Sequence, residues 1–206
     1  MSKSKQKQMR DILLEESGGK ALLSNEYINL AKSILFTEAQ RTPNLEAGDK
    51  KLYTKKERTR RPYAIPGEFI AFDYRAKYPK GTKDHPYYDQ FPFVCVLKSP
   101  YVKGKERGFL GSNVHYISNF GARSLRVNTL KQAVNKGVLM VFENTVHHYL
   151  YDYIAGPITA IPIDEVVSYG SLPLEQFVIS DTEQPINKTF IWSQRTNWIT
   201  SIQIKR

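Results

Sequence analysis

A chain of 206 residues with 41% hydrophobic and 12% aromatic side chains has the material for a core, which excludes wholesale disorder, and suits one moderate domain with an appended segment. Thirty Lys+Arg against twenty Asp+Glu give a formal charge of +10, a field that attracts polyanions or acidic protein faces and is silent on fold. One cysteine, Cys95, excludes an internal disulfide, and neither a signal-peptide core nor a membrane-spanning apolar run is present, so the expectation is a reducing, aqueous compartment with no membrane partner.

Residues 1–42 read as a helical arm. Met9, Ile12 and Leu13 share one side of a first helix, which Gly18 and Gly19 end. Ser24 suits the N-cap of a second, with Tyr27, Ile28, Ala31, Ile34 and Leu35 as its stripe and Pro43 beyond its end. Two short amphipathic helices cannot bury such stripes alone, so they dock on the rest of the chain or on another subunit.

Residues 43–65 read as a basic linker. Lys50, Lys51, Lys55, Lys56, Arg58, Arg60 and Arg61 stand there against a single acid within 50–61, Glu57. These seven cations are the candidate contact for a polyanion or an acidic partner.

From Pro66 the pattern becomes that of strands. GEFIAFDYRAK, FPFVCVLKS and GFLGSNVHYIS are rich in Phe, Tyr, Val and Ile between Pro, Gly and Asp. Residues 122–136 return to helical spacing, with Leu125, Leu130, Ala133 and Val134 inward and Gly137 as the stop. Residues 138–154 fit strand or helix equally. The expectation for 66–165 is a small antiparallel β-barrel, SH3-like or similar, with an inserted helix. Residues 166–206 are expected as an extended C-terminal tail, in which Ile202 and Ile204 alternate with polar neighbours as in an edge or partner-added strand. The fold class is α+β.

Catalytic patterns are absent: no phosphate-cradling glycine loop and no nucleophile elbow occur. Cys95 sits in the apolar run from Phe93 to Leu97, where a buried, inert thiol is the ordinary outcome. His147 and His148 are adjacent and diverge, while His85 and His115 are isolated, so neither a metal set nor a cofactor is expected. Asp73, Asp84 and Asp89, near Lys77, Lys80 and Lys83, are the best carboxylates for a metal-dependent nuclease, although such loop acids usually accept backbone hydrogen bonds. Residues 50–83 interleave cations with Tyr53, Tyr63, Phe69, Phe72, Tyr74 and Tyr78, a composition that also suits nucleic acid; Phe69 and Phe72 read as core.

One further pattern is more specific. Tyr74 and Lys77 are followed by Pro86, Tyr87, Tyr88, Asp89, Phe91, Pro92 and Val94, and then by Gly108, Phe109, Gly111, Asn113, His115 and Tyr116. In these residues the stretch 66–118 resembles a family of virion proteins from T4-like tailed phages. Those proteins carry a Y-x-x-K strand, then P-Y-Y-D-x-F-P-x-V, then G-F-x-G-x-N-x-H-Y-L. Ser112 and Ile117 stand where that pattern has Leu. The resemblance implies a non-enzymatic virion component, made in the host cytoplasm and present in several copies among other virion proteins, with DNA as a further partner. Members carry the labels structural protein and DNA-end protector. Physically, Tyr87, Phe91 and Phe93 suit a barrel core, Gly108 and Gly111 allow a tight bend or bulge, and Asn113 and His115 share a strand face by the two-residue period.

The expected function is therefore a structural connector in a phage tail, baseplate or neck. The alternative is a protein that binds and protects DNA termini, and the third reading is the metal-dependent nuclease.

Overall fold

The computed structural model describes residues 60–61, 63–76, 86–119, 124–180, 182–192 and 197–205. The expected helical arm 1–42 lies outside them, as does most of the linker 43–65, including Lys50, Lys51, Lys55, Lys56 and Arg58. None of the described helices is long and apolar enough to cross a membrane.

The described residues form an α+β fold. Its centre is a six-stranded antiparallel sheet in the order β1 (Arg60–Arg61), β8 (Ile154–Ile161), β2 (Phe69–Tyr74), β4 (Phe93–Lys103), β5 (Glu106–Asn113), β7 (Val146–Leu150). Two ribbons flank it: β3 (Tyr87–Asp89) with β9 (Phe177–Ile179), and β6 (Val138–Phe142) with β10 (Trp198–Gln203). The ambiguous stretch 138–154 resolves into β6, β7 and the start of β8, joined by 3₁₀ turns at Glu143–Thr145 and Tyr151–Tyr153.

The apolar runs in β2 and β4 are continuous because both faces of the sheet are covered. On one face Phe69, Ala71, Phe93 and Cys95 join a core with Phe91, Leu130, Tyr169 and Leu174. On the other Ile70, Phe72, Tyr74, Val94 and Val96 pack with Phe109, Tyr149 and Ile158. Phe72 of β2 and Tyr149 of β7 lie three strands apart, about 14 Å across a flat sheet. Their ring centroids are 5.3 Å apart, so the sheet curls strongly. Register shifts in the β2–β8 and β4–β5 pairs supply that curvature.

The expected barrel is corrected here: β1 and β7 do not pair with each other among the described residues, and the sheet stays open. The linker assignment is corrected at its end as well, since Arg60 and Arg61 pair with Thr159 and Ile158 as an edge strand. Of the expected extended C-terminal tail, the strand around Ile202 is present as β10, but the other described residues of 166–205 are folded chain instead. Short helices α2 (Val166–Gly170) and α3 (Lys188–Trp192) and strands β9 and β10 pack on the core, burying Leu172, Leu174, Phe177, Ile191 and Ile204. Aliphatic and aromatic side chains at these spacings are worth about 1.5–3 kcal/mol each when buried, which outweighs leaving the segment loose.

Helix α1 (Leu125–Lys136) starts where Ser124 Oγ accepts from the Val127 N–H at 3.2 Å and ends at Gly137, whose φ of 74° is left-handed. Its inward stripe differs from the expected one. Leu125 is 46% exposed, and Arg126 takes the buried position with Leu130 and Ala133.

Candidate functional site

Of the motif residues, Phe91, Asn113 and His115 converge on the carboxylate of Asp89, whereas Lys77 lies outside the described residues. Asp89 ends β3 and is buried. Its Oδ1 accepts from the backbone N–H groups of Phe91 (3.1 Å) and Gln176 (3.0 Å). Its Oδ2 accepts from Asn113 Nδ2 (3.0 Å) and His115 Nδ1 (2.7 Å). Because an ionised carboxylate only accepts, the imidazole donates from Nδ1. Burial pushes the Asp89 carboxyl up, but His115, Asn113 and the Gln176 N–H outweigh it and hold it below the usual carboxylate range.

Asn113 has a second duty. Its Oδ1 caps the 3₁₀ turn Val114–Tyr116 by accepting from the His115 N–H at 3.0 Å. Asn113 and His115 thus meet through a turn and a shared carboxylate, whereas the sequence pattern placed both on one strand. His115 is fully buried, and its Nε2 has no hydrogen-bond partner among the described residues.

Arg126 braces the same turn from below. Its Nε and Nη2 donate to the carbonyls of Ile117 and His115, each at 2.9 Å, and its Nη1 donates to Glu175 Oε2 at 3.0 Å. Trp192 Nε1 donates to that same His115 carbonyl at 2.9 Å, and the guanidinium lies 5.6 Å from the Trp192 ring centre. Burial raises the Glu175 carboxyl, yet Arg126, with His115 and Lys188 adding, brings it below its ordinary value. A leucine-like stripe cannot reveal a buried arginine, because its partner Glu175 stands 49 residues away.

Gly108 and Gly111 act by close approach. A Cβ on Gly108 would stand 1.9 Å from the Tyr149 carbonyl oxygen, and one on Gly111 would stand 2.1 Å from Val94 Cγ1. Phe91 is fully buried in the main core, whereas Tyr87 is partly exposed and packs with Tyr116, Phe177 and Ile191.

Beside this cluster opens a cavity of about 710 Å³. Tyr74, Tyr87, Tyr88, Tyr116 and Tyr149 line it, together with His147 and His148, and Lys103 and Lys105 reach it from the β4–β5 hairpin. The His147 ring lies 4.4 Å from that of Tyr116, and the His148 ring 4.9 Å from that of Tyr101. Burial pushes Tyr74 up to about 12 and raises Tyr116 and Tyr149 well above the ordinary phenol value, so the three phenols stay protonated in ordinary conditions. The hairpin lysines were no part of the expected contact, which named only the linker; their alternation with Gly104 and Glu106 at a strand turn was the available signal.

Of the three nuclease carboxylates, the two among the described residues, Asp73 and Asp89, belong to no group of three or more His, Cys, Asp or Glu side chains placed to hold a metal ion. Asp84 lies outside the described residues, Asp73 sits on β2, and Asp89 is enclosed in its own hydrogen bonds. Among the described residues no three His, Cys, Asp or Glu side chains are grouped to hold a metal ion. Cys95 is buried, and burial raises its thiol far above the usual range. Comparison of the chain with protein-family models, with curated proteins and with solved structures finds no match.

Proposed function

We propose that this chain is a non-enzymatic structural component of a tailed-phage particle, a connector of tail, baseplate or neck that docks on neighbouring subunits. The observation that carries the docking is the β6–β10 ribbon. Trp198 and Ile199 on β10 are 59% and 50% exposed, Met140 on β6 is 40% exposed, and β10 pairs on one side only among the described residues. Large apolar groups beside an open strand edge suit a partner surface. Asp89, Asn113 and His115 are buried and bonded to one another and to backbone, which suits a structural role for the motif. The phage assignment rests on the motif resemblance.

The test is location. Antibody raised against the purified chain should label intact particles of the encoding phage at one discrete position, and its absence from washed particles would overturn the reading.

A second reading, binding of DNA termini, is favoured by the β4–β5 hairpin, where Lys98, Lys103, Lys105 and Arg107 are exposed beside the single acid Glu106. Binding to linear duplex DNA that weakens steeply with salt, and prefers ends to closed circles, would support it.

A further inference from the structure

We infer that strand β10 is the contact through which two copies of this chain pair, antiparallel and edge to edge, about a two-fold axis at Thr200. This rests on the connector reading and names a second copy as one of its neighbours.

The direction of the backbone groups comes first. The Ile204 N–H donates to the carbonyl of Gly137, just before β6, at 2.9 Å, whereas the Lys205 N–H points the other way and donates to Gly67 at 2.8 Å. Successive residues of a strand turn their backbone groups to opposite sides. Ile202 and Thr200 therefore address β6, and Ser201 and Ile199 turn theirs to the outer edge. Gly67 closes that edge at its C-terminal end, since a Cβ there would stand 3.0 Å from the Gln203 carbonyl oxygen. Among the described residues the open stretch is 198–202, and Thr200 is its middle.

Charge selects the occupant. The chain carries +10, so two copies repel each other wherever their cations face. Residues 196–204 hold no charged side chain and no proline, the two usual guards of a strand edge that is to stay single. Lys205, next along, is engaged by Glu68 at 3.1 Å. An acidic or basic partner finds nothing on this edge to answer its charge, whereas a copy of the same neutral strand does not repel it.

Symmetry then fixes the register. With Thr200 on the axis, Ile199 and Ser201 of one copy exchange backbone hydrogen bonds with Ser201 and Ile199 of the other. Thr200 meets Thr200, a favourable cross-strand pair, and Trp198 comes opposite Ile202. Ile199 then lies one strand away from the second copy's Met140, so the exposed apolar groups of the two ribbons share one face. The pairing uses both open edges and closes at a dimer.

Sedimentation equilibrium of the full chain over a concentration series tests this. The parent should fit a monomer–dimer equilibrium. Thr200→Lys and Thr200→Glu, each alone, set like charges face to face and should weaken the dimer at least about tenfold, while an equimolar mixture of the two should restore association. Thr200 is exposed, so circular dichroism and the thermal midpoint should stay as in the parent. Cross-linking reads the register: under diamide Thr200→Cys should form a disulfide dimer and Gln203→Cys, beside Gly67, should not, with the native Cys95 buried and silent. A dimer that survives either charged variant, a mixture that does not associate, or equal cross-linking at both positions overturns the inference. A parent that stays monomeric also overturns it, and leaves the edge to a strand of another protein. Labelled particles with a monomeric chain sink this inference alone, whereas a dimer absent from washed particles sinks the connector reading alone.

Discussion

His115 Nδ1 lies 2.7 Å from Asp89 Oδ2, across 26 residues of chain, with both side chains almost wholly out of solvent. The bond ties strand β3 to the turn after β5, and the other oxygen of Asp89 ties both to the segment entering β9 through Gln176. One carboxylate therefore holds three separate stretches of chain.

Asp89→Ala should lower the free energy of unfolding by about 3–5 kcal/mol, since it strands a buried imidazole, an amide and two backbone N–H groups. Asp89→Asn should cost less than Asp89→Ala but still destabilise. It keeps an acceptor for two donors and turns an NH₂ toward the other two. Urea denaturation followed by circular dichroism measures both, and a loss under about 1 kcal/mol for the alanine variant would remove Asp89 from this role.

The Arg126–Glu175 pair should behave as a buried unit. Among the described residues Arg126→Met leaves Lys188, at 3.4 Å and partly exposed, as the ion-pair partner of Glu175, and strips the His115 and Ile117 carbonyls of a donor. A loss of about 3–5 kcal/mol is expected. The double variant Arg126→Met with Glu175→Leu should recover part of it, because no charge is then left buried without its partner. A double-mutant cycle that shows simple additivity would contradict the coupling.

Gly108→Ala and Gly111→Ala should each destabilise by about 1–3 kcal/mol or more, because the new methyl meets backbone in the first case and a buried valine in the second. Gly104→Asn is the contrast. A Cβ at Gly104 meets nothing within 4 Å, and asparagine tolerates its φ of 65°. Thermal melts should therefore separate Gly104→Asn, close to the parent, from the other two. Similar midpoints for all three would refute the close-approach account.

Stability should fall in acid in two stages. His148 sits below its ordinary 6.5 through burial and the nearby Lys103, so the unfolded chain takes up that proton first and a small decline begins below about that pH. Asp89 and Glu175 sit below their ordinary 3.8 and 4.5, so their stabilisation is complete above those values and is lost as pH falls through the lower folded ones. The midpoint-versus-pH curve should lose its early shallow limb in His148→Gln and part of its steep acid limb in Asp89→Asn. A curve unchanged by Asp89→Asn would show that this carboxylate does not govern acid unfolding.

Much of this fold is legible in local pattern. The apolar runs of β2 and β4, with glycine and aromatic residues through β5, announce strands, and Gly137 marks the end of α1 because a left-handed stop is a property of a single residue; the start, expected at 122, falls at Leu125 after the Ser124 cap. The class, α+β, follows from those elements. Other features depend on partners that local periodicity does not encode. Whether the curled sheet closes is decided by register shifts between strands, and Arg126 rather than Leu125 turns inward because Glu175 and two carbonyls wait there. Leu172, Leu174, Phe177, Ile191 and Ile204 join the buried clusters because the folded sheet and helices offer them apolar surface. The grouping of Asp89, Asn113 and His115, and the cavity beside them, exists only once loops have closed. Local propensity names the elements, while long-range burial and hydrogen bonding choose which of their faces meet.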